Sequence, residues 1–270
     1  MKRVLFLCMI MFVTLCASAQ KTAILVAQFG TSNAEGREAA LDVLFQDIKN
    51  KYPDMEVREA YTSPTICRIL EKRGIHKDNP IDALLKLHLE GYEKVYVQPT
   101  FLLDGIEMNL LREDVNRVAS FFKEVKVGDP LLYTVNDFRN MVSILKNRVP
   151  AKNEALLYVG HGNDRASNST YSMLMNMLQS EGVSRCYFGT VEGWPDLDQS
   201  IAQLEGQKIK KVILIPFLLA CGVHAHEDID GEWKPALEKN GYQVEVFFHG
   251  LGEEVAVRDL FLQHLKQLTK

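Results

Sequence analysis

A buried strand running into a proline and then a glycine occurs twice in this sequence, and the repetition restricts the fold more than any other feature. Residues 212–231 read VILIPFLLACGVHAHEDIDG. Val212 to Ile215 is a run of β-branched and apolar residues, as in a strand buried on both faces. Pro216 has no N–H to give a ladder, so regular pairing weakens there. Gly222 then turns the chain, and His224, His226, Glu227, Asp228 and Asp230 follow. Residues 95–109 read VYVQPTFLLDGIEMN, with Pro99 and Gly105 spaced as Pro216 and Gly222 are, and Glu107 in the place of His224. In the same order, AILVAQFG at 23–30 matches ALLYVGHG at 155–162, which sets Phe29 opposite His161. Two echoes in one order imply two similar half-chains. The histidines of the echoes fall only in the second half, so the chemistry is expected there.

Strand patterns alternate with helix patterns throughout. In the first half, strands are expected at 23–29, 55–61, 94–98 and 124–127. In the second they fall at 154–160, 185–191, 210–215 and 243–248, with helices near 169–179, 196–205, 231–239 and 253–268. Ser32 and Glu35 form a capping box for the first helix, and Asn136 or Asp137 caps a helix reaching Arg148. The expected class is α/β, with two similar domains, each a parallel β-sheet covered by helices on both faces. Pro150-Ala151-Lys152-Asn153 reads as the boundary, giving halves at 20–150 and 151–270.

Residues 1–19 read as a signal peptide: Lys2 and Arg3, an apolar run from Val4 to Cys16, then Ala17-Ser18-Ala19 before Gln20. The mature chain is expected to be exported, to the bacterial periplasm. Removing Lys2 and Arg3 from 31 basic side chains leaves 29 against 35 acidic ones, a formal net charge of −6. That balance argues against nucleic acid or an anionic membrane as partner, and no later stretch is long and apolar enough to span a bilayer. Cys67, Cys186 and Cys221 remain, an odd number, and read as buried thiols rather than a disulfide framework. The Gly-x-Gly-x-x-Gly and Gly-Lys-Ser/Thr patterns are absent, so no organic nucleotide cofactor is indicated.

Three strand ends in the second half carry metal-competent residues. His161 ends one in GHGN, Glu192 the next in TVEGWP, and His224 follows the third in CGVHAH. On neighbouring parallel strands these tips open on one edge of the sheet, where α/β sheets place ligands. Two imidazoles and a carboxylate suit Zn²⁺, Fe²⁺, Co²⁺ or Ni²⁺ and not Mg²⁺ or Ca²⁺. His226, two residues on, can share the face of His224 or support it. His76, His88, His249 and His264 read as exposed structural histidines. Trp194 and Tyr61 are candidates for stacking on a flat ligand, with core packing as the alternative.

Taken together, ILVAQFGTS (24–32), REAYTSPTI (58–66), LYVGHG (157–162), TVEGWPDLD (190–198), IPFLLACGVHAHEDIDG (215–231) and GLGEEVAVRDLF (250–261) resemble the anaerobic cobalt chelatases, the sirohydrochlorin cobaltochelatases of the two-domain ferrochelatase-like fold. The similarity covers essentially all of the mature chain. It implies a chelatase of the lyase class that inserts Co²⁺ into sirohydrochlorin, a tetrapyrrole with many carboxylates, on the route to cobalamin. The family's metal-binding and catalytic His of the GHG motif falls on His161, its Glu of V-E-x-x-P on Glu192, and its G-x-H-A His on His224. Val223 stands where the family has Asp, and Glu227-Asp228-Ile229 where it has Asn-Asp-Met. Co²⁺ is then a substrate metal and the tetrapyrrole a small-molecule partner, with Arg37, Arg58 or Arg112 as candidate carboxylate anchors. Cobalamin assembly is cytoplasmic, so an exported member implies tetrapyrrole or metal handling outside the cytoplasm. The rivals are iron insertion or removal at the same site, and a binding protein for haem or divalent metal without turnover. Haem binding and homo-oligomerisation stay open.

Overall fold

The computed structural model describes residues 20–270, apart from the side chain of His224. The expected signal peptide, 1–19, lies outside the described residues. The first half runs β1 (Thr22–Gln28), α1 (Ala34–Gly36), a π-helical turn at Arg37–Leu41, α2 (Asp42–Lys51), β2 (Glu56–Tyr61), α3 (Pro64–Glu71), α4 (Pro80–Leu89), β3 (Lys94–Pro99), α5 (Ile106–Val118), β4 (Glu124–Val127) and α6 (Val135–Leu145). The second runs β5 (Glu154–Gly160), α7 (Ser169–Ser180), β6 (Cys186–Thr190), α8 (Leu197–Leu204), β7 (Lys211–Pro216), α9 (Val223–Asp228), a π-helical turn at Ile229–Trp233, α10 (Lys234–Lys239), β8 (Gln243–Val246) and α11 (Val255–Leu268).

Both sheets are parallel, and their strand orders are the same: β2-β1-β3-β4 and β6-β5-β7-β8. The sequence echo is therefore a structural one. In the first sheet Ala27 pairs with Pro99, and in the second Val159 pairs with Pro216. The proline that cannot donate thus closes the same ladder position in each. After each comes a helix N-capped by glycine, Gly105 for α5 and Gly222 for α9.

Alternating residues of β1 serve two cores, as a strand covered on both faces requires. Ala23, Leu25 and Ala27 pack with α4 and α5, whereas Ile24 and Val26 face α2. In the second half Leu157 and Val159 pack with Ile201, Leu204, Trp233 and Leu237, and Leu156 and Tyr158 take the opposite face. Those opposite faces meet in one continuous core. Ile24, Val26 and Tyr96 share it with Leu156, Tyr158 and Phe188 through residues of α2, α6, α7 and α11. The order of layers is helices, sheet, shared helices, sheet, helices.

Several local expectations shift. Asn33, not Ser32, caps the first helix, accepting from the Gly36 N–H at 2.8 Å. Thr134, not Asn136 or Asp137, caps α6, with Asp137 completing its capping box. Helical backbone begins at Val223 rather than Gly231 and runs without a break to Lys239. Cys186 and Cys221 are buried, Cys67 half-buried, and all three are free; burial pushes the Cys186 and Cys221 thiols up to about 12. No helix among the described residues is long and apolar enough to cross a membrane.

Candidate functional site

In a sheet ordered β6-β5-β7-β8 the chain reverses direction of travel between β5 and β7, and ligands bind at the strand carboxyl ends beside such a reversal. His161 follows β5, Glu192 follows β6, and His224 lies in the first turn after Gly222 beyond β7. The backbone explains why the first two come together. Val191 N–H donates to the Gly160 carbonyl at 3.0 Å and Glu192 N–H to the His161 carbonyl at 2.7 Å, so pairing continues past the regular strands. Gly162 has φ +79°, and a Cβ there would lie 2.6 Å from the Thr190 Cβ and 3.0 Å from the Glu192 carbonyl carbon. Only glycine lets the two turns touch in this way.

The result is a His161 Nδ1 to Glu192 Oε2 separation of 3.9 Å, with the side chains 60% and 68% exposed. His161 Nδ1 also lies 3.2 Å from the Gly162 carbonyl. A carbonyl only accepts, so with the proton on Nδ1 the ring donates to Gly162 and leaves Nε2 for an ion, and with the proton on Nε2 it turns the Nδ1 lone pair towards Glu192. Glu192 can hold a cation or take a proton nearby. The buried Tyr171 hydroxyl accepts from the Gly162 N–H at 3.3 Å. Burial drives that phenol up to about 12, so it stays protonated.

His224 occupies the second position of α9; its side chain is outside the described residues. Among the described residues no group of three His, Cys, Asp or Glu is placed to hold an ion; of the three expected ligands, His161 and Glu192 are the two whose side chains are described. His226 stacks on Phe248 with ring centroids 3.9 Å apart. Helix positions two apart do not share a face. Positions 224 and 226 therefore lie on different faces of α9.

The first half closes on this edge. The vacant Cβ direction of Gly105 points at Glu107, Asn163 and Ser167, the last two from the loop after His161, at 3.5, 3.6 and 3.9 Å. That of Gly222 points at the Thr31 hydroxyl, 3.1 Å away. Gly36 sits so close to the Cys221 carbonyl that any Cβ would collide with it. Phe29, Ile106, Trp194 and Val223, in the turns after strands or the first turns of helices on this side, are large apolar side chains left exposed. Trp194, 58% exposed, remains free to stack, whereas Tyr61 is fully buried and cannot. Two cavities, of about 480 and 290 Å³, lie elsewhere, and neither His161 nor Glu192 lines them. The site is an open edge.

The basic candidates are already engaged. Arg37 pairs with Glu38 at 3.2 Å and Asp42 at 3.4 Å, and Arg112 with Asp104 at 2.6 Å. Arg58 pairs with Glu90 and Glu56, and its hydrogen bond to Glu90 is the largest of the effects holding its pKa above the ordinary value. The other histidines divide. His76 and His88 are exposed as expected. His249 is only 28% exposed and sits between Glu253 and Glu254, and His264 is 12% exposed and bonds Asp137. The last two are corrections to the reading as surface histidines. Sequence reading also passed over Tyr171 and Asn168, which tie the site loops together, because no spacing or motif distinguishes them.

The family model for Cobalt chelatase (CbiK) matches residues 22–270. The chain is 32% identical over 254 residues to the sirohydrochlorin cobaltochelatase of Salmonella typhimurium strain LT2, spanning 92% of this chain and 96% of that one. It is 31% identical over 254 residues to the sirohydrochlorin cobaltochelatase CbiKC of Nitratidesulfovibrio vulgaris strain Hildenborough, spanning 91% and 89%. Among solved structures, SirB from Bacillus subtilis with Fe³⁺ aligns at TM-score 0.68 and 17% identity over 92% of this chain and 95% of that one. SirB from Bacillus subtilis subspecies spizizenii in complex with cobalt aligns at 0.65 and 13% over the same shares, 92% and 95%. At those identities the structures speak for the fold alone. The sequence match, which takes in both sheets and both described site residues, shows that this chain belongs to the cobalt chelatase (CbiK) family.

Proposed function

We propose that this protein is a chelatase that inserts Co²⁺ into sirohydrochlorin. The observation that carries the reading is the His161–Glu192 pair, 3.9 Å apart and open to solvent at the strand tips, in a chain of this family. Metallation requires a partly desolvated ion, pyrrole nitrogens turned towards it, and departure of two N–H protons as the ion enters. His161 and the Glu192 carboxylate hold the ion, with His224 as the third ligand. Glu192 or His161, released from the ion as the ring nitrogens take it, accepts a proton. The exposed Phe29, Ile106, Trp194 and Val223 offer apolar surface to a flat macrocycle. Two α/β halves, 20–150 and 151–270, facing each other across this edge favour a bent ring, whose nitrogens are more accessible.

Mixing the purified protein with Co²⁺ and sirohydrochlorin should produce the absorbance change of the metallated ring at a rate proportional to enzyme. Tight metal or haem binding without turnover would instead make it a binding protein. Exposure to Fe²⁺ and Ni²⁺ in the same assay ranks the metals. We further propose export to the periplasm, on the signal in residues 1–19. Mass spectrometry of native protein should find Gln20 at the amino terminus; Met1 retained on a cytoplasmic protein refutes it.

A further inference from the structure

The loops carrying His161 and Glu192 leave different strands and are joined by one amide side chain. Asn168 is buried at the end of the 3₁₀ turn Ala166–Asn168. Its Oδ1 accepts from the Asn163 N–H at 3.1 Å, two residues beyond His161. Its Nδ2 donates to the Trp194 carbonyl at 2.5 Å, two residues beyond Glu192. The orientation of the amide follows from its partners, since an N–H requires an acceptor and a carbonyl a donor. Gly193 packs against it so closely that a Cβ would lie 2.5 Å from Oδ1.

No other residue type does this as well. Aspartate has the shape but no donor, and would set a carboxylate oxygen against the Trp194 carbonyl. Serine is too short to reach both loops, and glutamine would overfill the space beside Gly193. Beside Asn168, the loops meet through two backbone bonds, Val191 N–H to the Gly160 carbonyl and Glu192 N–H to the His161 carbonyl, and through the close approach of Gly162 to Glu192, all ahead of the two exposed side chains. Side chains so open to solvent hold no fixed distance unless their backbones are held.

We infer that Asn168 is a positioning residue that sets the spacing of His161 and Glu192 for the incoming ion. The inference rests on the reading of that pair as the metal-handling one. Groups that orient metal ligands from behind typically contribute about 10–100-fold in metal affinity or activity, and that is the loss expected here.

The test compares wild type, Asn168→Ala, Asn168→Asp and His161→Ala. Each is measured for folding by circular dichroism and melting, for Co²⁺ alone by titration and visible d–d absorption, and for Co²⁺ insertion into sirohydrochlorin. Both Asn168 variants should fold, lose about 10–100-fold in kcat/KM or Co²⁺ affinity, and shift the d–d bands of bound Co²⁺. A purely structural role would lower the melting temperature and leave those bands alone. The aspartate variant is decisive because it keeps the volume and loses the donor. If folded Asn168→Asp keeps wild-type bands, affinity and rate while His161→Ala is inactive, the inference is wrong and the site reading stands. If neither Asn168 variant folds, the residue holds the domain rather than the site, which also overturns it. If His161→Ala matches wild type in Co²⁺ affinity and rate, the site reading fails and takes this inference with it.

Discussion

His161 and Glu192 project from strand tips into solvent and support no core contact, so their removal should cost chemistry and not stability. His161→Ala and Glu192→Gln should each abolish most Co²⁺ insertion while leaving the melting temperature within about a degree or two, since exposed substitutions usually change stability by less than about 0.5 kcal/mol. His224→Ala should do the same on the proposed assignment, and His226→Ala should retain most of the rate, because its ring is occupied with Phe248. A wild-type rate in either His161→Ala or His224→Ala would show the ligands misassigned. Gly162 behaves oppositely. A Cβ there meets Thr190 and the Glu192 backbone, at a φ of +79° that alone strains an L-residue. Gly162→Ala should therefore lower stability by about 1–3 kcal/mol and activity as well, read by thermal melts and the insertion assay together. The sequence made this pair legible because His161 and Glu192 each follow a strand pattern, and chain order places such ends on one sheet edge. It did not make Asn168 or Tyr171 legible. Their roles arise where two loops remote along the chain meet, and nothing local in NDRASNSTY marks either.

Secondary elements were readable where one force dominates. β1, β5 and β7 are unbroken apolar runs, buried on both faces, and the structure has them within a residue or two of the patterns. Caps were less readable, because several adjacent polar residues can all accept an N–H. Ser32 and Asn33 compete for one helix start, and Thr134, Asn136 and Asp137 for another. The α9 to α10 helix was missed at its start because Gly222 reads as a turn, and it is also the N-cap. The α6–α11 contact was hidden for a different reason: His264 looked like one more polar residue on a terminal helix. In the fold its Nε2 lies 3.0 Å from Asp137 Oδ1, while Asp137 Oδ2 accepts from the Thr134 N–H and hydroxyl, both at 2.7 Å. Burial pushes the Asp137 pKa upward, but those three bonds outweigh it and leave the carboxyl below its usual value. A depressed carboxyl contributes stability that is full above the unfolded-state pKa, near 3.9, and is lost as pH falls through the folded value. Asp137→Asn should therefore be less stable than wild type by about 2 kcal/mol at pH 7, with the gap closing below about pH 4. His264→Ala should show a loss of similar size at neutral pH. Chemical denaturation of the three proteins at pH 7 and pH 3 checks both; a gap that persists unchanged in acid would detach it from the Asp137 charge.

At the scale of the molecule, the two halves of the doubled pattern share one apolar core. α6 precedes the expected division at Pro150 yet packs against α7 beyond it, and α11 returns from the end of the chain to α2 and α6. One apolar cluster holds residues of both sheets and of all four of these helices. Arg258 on α11 bonds Asp47 on α2 at 2.6 Å and also the Gly252 and Glu253 carbonyls, pinning the two halves where the loop after β8 begins its last helix. Neither sheet can expose its inner face without exposing the other's, so unfolding one half removes the apolar cover of its partner. A single cooperative transition is expected. The placement of tryptophan makes this easy to examine: both tryptophans, Trp194 and Trp233, lie in the second half. Tryptophan fluorescence thus reports the second half, whereas far-ultraviolet circular dichroism reports both. In urea the two signals should share one midpoint. Phe261→Ala, which opens a hole in the shared cluster, should move both midpoints down together by an amount equivalent to about 3–5 kcal/mol. A dichroism transition that precedes or follows the fluorescence one would show that the first half melts alone. The same outcome would loosen the facing of the two strand-tip edges, since the Gly36–Cys221 and Gly105–Asn163 approaches exist only while both halves are folded. Loss of metallation should accordingly track the common midpoint and not precede it.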